Sequence, residues 1–240
     1  MKKYPVYLII VLFIISCGFS KSNFGKNIAN TGEMIVKKYK SDKFVNVNVN
    51  DSIKVNIKKD NSYNVNVHTD SAYIDYINVS VKGETLYLSM KKDFELKNPI
   101  IIVYISMPEV KKIEIDGSSI MNLNNMDSDN LYLEIKGSSR VYGEINANKL
   151  IIEGSDSSFV NLKGRAVNLK LKIDKNSKAD LKNFVVTKAD FEVKNGSEVE
   201  LRVTESISAD ILGHSEVKIK GNPGDENIHI ESNSDIEWDK

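Results

Sequence analysis

The sequence has one cysteine, three histidines and no excess of either charge, and each scarcity removes a class of function. A single cysteine, Cys17, permits no intramolecular disulfide, so an oxidising compartment offers this fold no covalent staple. His68, His214 and His229 are scattered, and without a second cysteine they form no zinc-type ligand pair. Phosphate-cradling glycine loops and the calcium-binding Gly-Gly-x-Gly-x-Asp repeat are absent as well. No cofactor and no metal is therefore expected. Lys plus Arg and Asp plus Glu both number 33, which leaves no electrostatic footprint for nucleic acid, and any partner must be recognised locally. After Ser22 no stretch has convincing helical periodicity, Ser71 to Tyr76 being the best short candidate.

What is present begins with an export signal. Lys2 and Lys3 precede an apolar run from Val6 to Ile15, too short for a stable membrane span. The run ends in Ile14-Ile15-Ser16-Cys17, which looks like a bacterial lipobox, so residues 1–16 read as a lipoprotein signal peptide and Cys17 as the lipidated mature N-terminus. Loss of Lys2 and Lys3 would leave 31 basic against 33 acidic residues, about −2. The segment 17–43, rich in Gly, Ser, Asn and Lys at its start, reads as a flexible tether. Gly18, rather than Asp, follows Cys17, which in some Gram-negative lineages favours the outer membrane. The expected location is the bacterial cell envelope, with a membrane as partner through the lipid.

From Phe44 the pattern has period two: Val45, Val47 and Val49 alternate with Asn46, Asn48 and Asn50, as a half-buried strand requires. Further strands are expected at Ile53 to Ile57, Tyr63 to His68, Ile77 to Val81, Leu86 to Met90 and Ile100 to Ile105. Lys82-Gly83-Glu84 marks a hairpin, and Ile100 to Ile105 reads as buried on both faces. Residues 44–106 are thus a strand-rich N-terminal portion.

From Met107 the chain repeats itself. Ser119, Ser139, Ser158, Ser177, Ser197, Ser215 and Ser234 are separated by 20, 19, 19, 20, 18 and 19 residues, each in a small polar cluster. An alternating apolar strand precedes each cluster, as in Leu169/Leu171/Ile173, and apolar residues return two and four positions after most of the serines, as in Val199/Leu201. A repeat this short cannot bury its own apolar face, so copies must stack. The expected fold is all-β: a single-stranded parallel β-helix over residues 107–240, with coils of about 19 residues, continuous with the N-terminal portion as one domain over 44–240. The crossover rule for parallel strands makes it right-handed by analogy. Seven coils at about 4.8 Å each give a rod roughly 30 Å long.

The serines share parity with the apolar positions that follow, so they are expected as an inward structural ladder rather than as nucleophiles. His214 adjoins Ser215, but a neighbouring residue on a turn points elsewhere. Asp116, Asp156 and Asp174 fall in repeat turns and read as solvated turn acids rather than an acid/base constellation. Trp238 alternates with Ile236 and is expected to cap the open end of the core rather than stack on a sugar. Outward positions such as Glu114, Lys136, Lys170, Lys172, Glu192 and Lys218 mix both signs with few aromatics.

The order Leu86-Tyr87-Leu88, Met107-Pro108-Glu109-Val110, Ile113 to Ser119, the repeated Gly/Ser turns, Gly213-His214-Ser215-Glu216-Val217 and Gly221-Asn222-Pro223 resembles the head GIN domain family of auto-transporter adhesins. The resemblance spans about residues 44–225. It implies a β-helical, secreted or lipid-anchored envelope protein with a role in adhesion and no catalytic site. Two classes of function stand: a non-enzymatic, membrane-anchored envelope lipoprotein presenting a β-helical surface to a glycan or protein ligand, and alternatively a carbohydrate-binding or polysaccharide-cleaving β-helix protein. The second needs clustered acids and aromatics along a lateral face.

Overall fold

The computed structural model describes residues 26–92, 94–231 and 233–239. Its strands in chain order are β1 (Lys26–Ile28), β2 (Met34–Tyr39), β3 (Asn46–Val49), β4 (Lys54–Lys59), β5 (Asn64–Asp70), β6 (Ile77–Lys82), β7 (Thr85–Met90), β8 (Phe94–Leu96), β9 (Ile102–Met107) and β10 (Lys112–Ile115). There follow β11 (Ile120–Ile135), β12 (Arg140–Gly154), β13 (Phe159–Ile173), β14 (Lys178–Val193), β15 (Glu198–Ile211), β16 (Glu216–Lys220), β17 (Asp225–Ile230) and β18 (Asp235–Asp239). The expected helical turn shrinks to one 3₁₀ turn, Ile74–Tyr76.

The long strands β11 to β15 are the coils themselves. Each pairs in parallel with the next, so the repeat stacks as a parallel β-solenoid. The two halves of each long strand lie on different walls. On one wall the first halves continue β4 and end at β16 and β18; on the other the second halves continue β10 and end at β17. Inward residues follow the expected parity: Leu169, Leu171 and Ile173 are buried while Lys170 and Lys172 are exposed. One core runs from Phe44 to Ile219.

The first coils do not stack in chain order. β3 and β4 form a coil that lies between the β7/β9 coil on one side and the β10/β11 coil on the other. Beyond β7 and β9 the direction reverses. β6 closes one wall as the antiparallel hairpin partner of β7, and β5 then β2 close the other, each antiparallel to its neighbour. Reversal ends the parallel ladder with a cap instead of an open template for further coils. The edge strands carry a further safeguard, because Lys37 of β2 is in register with buried Val67 and Glu226 of β17 with buried Ile207. Inward charges at an edge oppose strand addition. At the far end Ile228, Ile236 and Trp238 are half-buried and pack on the core.

Two expectations are corrected. Residues 26–39, taken as tether, hold strands β1 and β2, because Ile35 and Tyr39 alternate inward onto the core while β1 pairs with β8. Ile100 to Ile105 is not buried on both faces: Ile101, Val103 and Ile105 are inside, whereas Ile100 is 60% and Tyr104 45% exposed. β9 belongs to a wall with one solvated side, so its outward residues face water. Asp70 fastens the strap that leads to β2. Its carboxylate accepts the N–H of Thr31 (3.0 Å), Gly32 (2.8 Å) and Ala72 (2.9 Å) and the Thr31 hydroxyl (2.8 Å).

The turn between the two halves of a coil is built from left-handed pairs, among them Asp156/Ser157, Lys175/Asn176, Asn195/Gly196 and Gly213/His214. A non-glycine residue resists this conformation by about 1–2 kcal/mol. Turn-to-turn bonds offset that cost, with Ser157 N–H donating to Lys175 O (3.0 Å), Asn176 N–H to Asn195 O (3.0 Å) and Gly196 N–H to Gly213 O (2.8 Å). At Gly137 glycine is required on space as well, since a Cβ there would lie 2.6 Å from Gly117 O.

Beside the turns run the serines. Ser119, Ser139, Ser158, Ser177, Ser197 and Ser215 are buried and Ser234 is half-buried. Ser158 N–H donates to Ser177 Oγ (3.1 Å), Ser177 N–H to Ser197 Oγ (3.3 Å), Ser197 N–H to Ser215 Oγ (3.3 Å) and Ser215 N–H to Ser234 Oγ (3.2 Å). Ile53 N–H donates to Ser119 Oγ (3.3 Å), and Ser119 Oγ donates to Asp51 O. Ser139 Oγ is buried without a partner among the described residues.

That contrast predicts the outcome of two substitutions. Ser177→Ala strands the buried Ser158 N–H and should lower stability by about 1–3 kcal/mol. Ser139→Ala removes a hydroxyl that already lacks a partner and should change stability by less than about 0.5 kcal/mol. Urea denaturation of both variants checks this, and equal losses would contradict the bonding assigned to the column. Acid should release the strap. Burial pushes the Asp70 carboxyl up, but the N–H donors of Thr31, Ala72 and Gly32 pull harder, so it lies below the ordinary carboxylate value. The contribution is therefore present above the unfolded carboxyl's pKa of about 3.9 and fades as pH falls through the lower folded value. Amide exchange at Thr31 and Gly32 should accelerate there, and Asp70→Asn should abolish the dependence.

Candidate binding face

Cys17 lies outside the described residues. The serine column is folded inward along the turn corner and offers no hydroxyl to a substrate. His214 sits exposed in a left-handed turn, His68 packs against Tyr104 with ring centres 4.8 Å apart, and His229 lies on β17. Among the described residues, no three His, Cys, Asp or Glu side chains come together as a metal site.

The three turn acids do not converge. Asp116 and Asp174 occupy the same outward column with Lys136 and Ser155 between them, three strand steps or about 14 Å apart. Asp174 accepts from Asn195 (2.6 Å), and Asp116 from the N–H of Gly117 (2.5 Å). Asp156 accepts from Ser155 (2.7 Å) and pairs with Lys175 (3.1 Å). The Ser155 hydroxyl and then Lys175 hold its carboxyl below the usual range, opposite to what a general acid at neutral pH needs.

The two walls differ in chemistry. On the β10 wall, Glu114, Glu134, Glu153, Lys172, Glu192 and Asp210 stand in one register column. Neighbouring carboxylates repel, and four of the five are engaged within the wall. Lys112 pairs with Glu114 (2.6 Å), Lys136 with Glu134, and Lys194 with Glu192 (2.7 Å), while the Tyr132 hydroxyl donates to Glu153 (2.8 Å). Burial, then the bond to Glu153, pushes the Tyr132 phenol far above its ordinary value, so it remains a donor. This wall's polar groups are largely engaged with one another.

The β4 wall is open along one half. Its central outward column runs Asn66, Tyr104, Asn56, Asn122, Tyr142, Asn161 before turning charged at Asp180, Glu200, Lys218 and Glu237. Asn122 donates to Asn56 (3.0 Å) and Asn161 to Asp180 (2.8 Å), which orients the amides. The rings are braced too: Tyr104 lies edge-on to His68, and Tyr142 is 5.7 Å from Phe159. Between Leu123 and Met126 the register shifts, so Asn124 and Asn125 together oppose Glu144, with Asn125 at φ 50°. Bulges of this kind re-aim side chains. Gly143 makes room for it, because a Cβ there would lie 2.8 Å from Leu123 O. The result is a shallow depression of about 350 Å³ lined by Asn122, Asn124, Asn125, Tyr142, Glu144, Asn161 and Lys163.

Sequence reasoning missed this face. Of the six outward positions it named, Glu114, Lys136, Lys170, Lys172 and Glu192 all fall on the β10 wall, and Lys218 lies in the charged half of the other. A signal was available, since Asn122, Tyr142 and Asn161 each stand three residues after a column serine.

Solved structures share this architecture. A putative adhesin from Bacteroides fragilis superposes with a TM-score of 0.85 at 21% identity, covering 88% of this chain and 100% of that one. A putative adhesin from Parabacteroides merdae gives 0.72 at 16% identity, covering 90% and 100%, and a putative lipid binding protein from Parabacteroides distasonis gives 0.69 at 17%, again covering 90% and 100%. No curated protein matches. Residues 43–223 match the family described as Putative auto-transporter adhesin, head GIN domain, and the chain belongs to that family.

Proposed function

We propose that the protein is a non-enzymatic envelope lipoprotein, exported and anchored through Cys17, that holds a rigid β-solenoid wall against a surface ligand. The observation that carries the reading is the contrast between the walls. On the β10 wall Glu114, Glu134 and Glu192 are tied up in ion pairs and Glu153 accepts from the Tyr132 hydroxyl, while the uncharged central column of the β4 wall leaves oriented amides and phenol rings facing solvent. Membership of an adhesin family agrees with such a role. The dispersed turn acids leave general acid/base chemistry without a partnered pair. Acyl chains on Cys17, at about 0.8 kcal/mol per buried methylene, would keep the solenoid on a membrane, with the outer membrane the favoured site given Gly18.

Two measurements check this. A palmitate analogue should label the wild type and not Cys17→Ser; equal labelling removes the anchor. A panel of acidic and neutral polysaccharides should yield no new reducing or unsaturated ends. Turnover that vanishes in Asp156→Asn or Asp174→Asn would replace the adhesive reading with polysaccharide cleavage.

A further inference from the structure

We infer that the β4 wall around its uncharged column, Asn66 to Asn161, binds a linear acidic glycan lying along the solenoid axis, across the strands; this rests on the adhesive reading and names its ligand. The column order Tyr104, Asn56, Asn122, Tyr142 places two aromatic rings three strand steps apart, about 14 Å, with two amides between them. A pyranose presents an apolar C–H face and a rim of hydroxyls. Ring faces of Tyr104 and Tyr142 suit the first, and the donor and acceptor atoms of Asn56 and Asn122 suit the second. Tyrosine brings this contact area with few rotamers to freeze, and His68 and Phe159 already restrict the two rings. A chain of sugars, unlike a compact ligand, matches a row of contacts repeated at strand spacing.

The charge follows from the flanks. In the column beside the rings, Lys54 and Arg140 stand either side of Ile120, two steps or about 10 Å apart, both exposed. Lys163 stands exposed at the edge of the depression. Among the described residues none of the three takes part in an ion pair, whereas Lys178 on the adjoining coil pairs with Glu198 (2.5 Å). Glu144 is the one acid lining the depression. Exposed cations beside stacking rings fit sugar carboxylates, with Arg140 able to engage one through two parallel N–H donors. An uncharged glycan would leave these cations unused.

The test uses full-length protein in detergent and fluorescent oligogalacturonate, with an uncharged galactose oligomer as comparison. The wild type should bind the acidic probe, more weakly as salt rises. Tyr142→Ala and Arg140→Ala should each weaken it at least about tenfold. Lys218→Ala, on the charged half, should leave it unchanged. Equal affinity for the uncharged oligomer, or binding unaffected by Tyr142→Ala and Arg140→Ala, would overturn the inference. Cell adhesion separates its failure from that of the adhesive reading. If deleting the protein abolishes attachment to a protein-coated, glycan-free surface and the Tyr142→Ala/Arg140→Ala double variant restores it, the glycan is wrong and the adhesive role stands. If deletion leaves attachment to every surface intact, the adhesive role itself fails.

Discussion

Hydrogen bonding between successive coils is the interaction on which the rest of the molecule depends. A coil of about 19 residues presents apolar side chains along the inside of both its strand halves and cannot cover them alone. Stacking solves burial and backbone pairing together: each wall strand finds its N–H and C=O partners in the coils above and below, and the inward rows merge into one core. With no disulfide available, this regular pairing must supply the stability. The same regularity creates a hazard, because every coil is a template for the next. Both ends answer it, by chain reversal and the inward Lys37 at one, and by short strands with the inward Glu226 at the other.

Where the coil turns, backbone cost and polar burial are met by neighbours rather than by local chemistry. Left-handed pairs such as Lys175/Asn176 would be poor choices in an isolated turn, yet Ser157, Asn176 and Gly196 each donate to a carbonyl of the adjoining turn. The serine hydroxyls likewise serve the N–H of a different coil. The column does not continue to the capped end: the position in line with Ser119 is Ile53, an apolar residue that meets the core packed beneath the antiparallel cap.

Stacking also turns isolated outward residues into columns, and a column has properties no single strand possesses. Glutamates 19 or 20 residues apart become neighbours whose repulsion must be offset. Asparagines and tyrosines from β4, β9, β11 and β12 become a continuous neutral strip. The two walls thus diverge in chemistry on the same coil, one with most of its carboxylates engaged and one with an uncharged central column.

Much of this was legible in local pattern. Period-two alternation assigns inside and outside for any residue of a strand, which is why Leu171 and Lys172 fall where parity puts them, and the recurring serine measures the coil. The Lys82-Gly83-Glu84 hairpin is equally local, with Gly83 supplying φ 58°. Even part of the β4 wall is written at the third position after each serine. Asn66, Tyr104 and Asn56 are not recoverable that way, because they join the column only through the insertion of the β3/β4 coil between later strands and the reversal at β5. Nor did local pattern find β1 and β2, whose partners β8 and β5 lie far along the chain. The sequence by itself determined the coil and its inward face, since both follow from side-chain parity within a few residues. Only the tertiary structure decided the order of the first coils and which outward residues share a wall, because those depend on hydrogen bonds between strands distant in the chain.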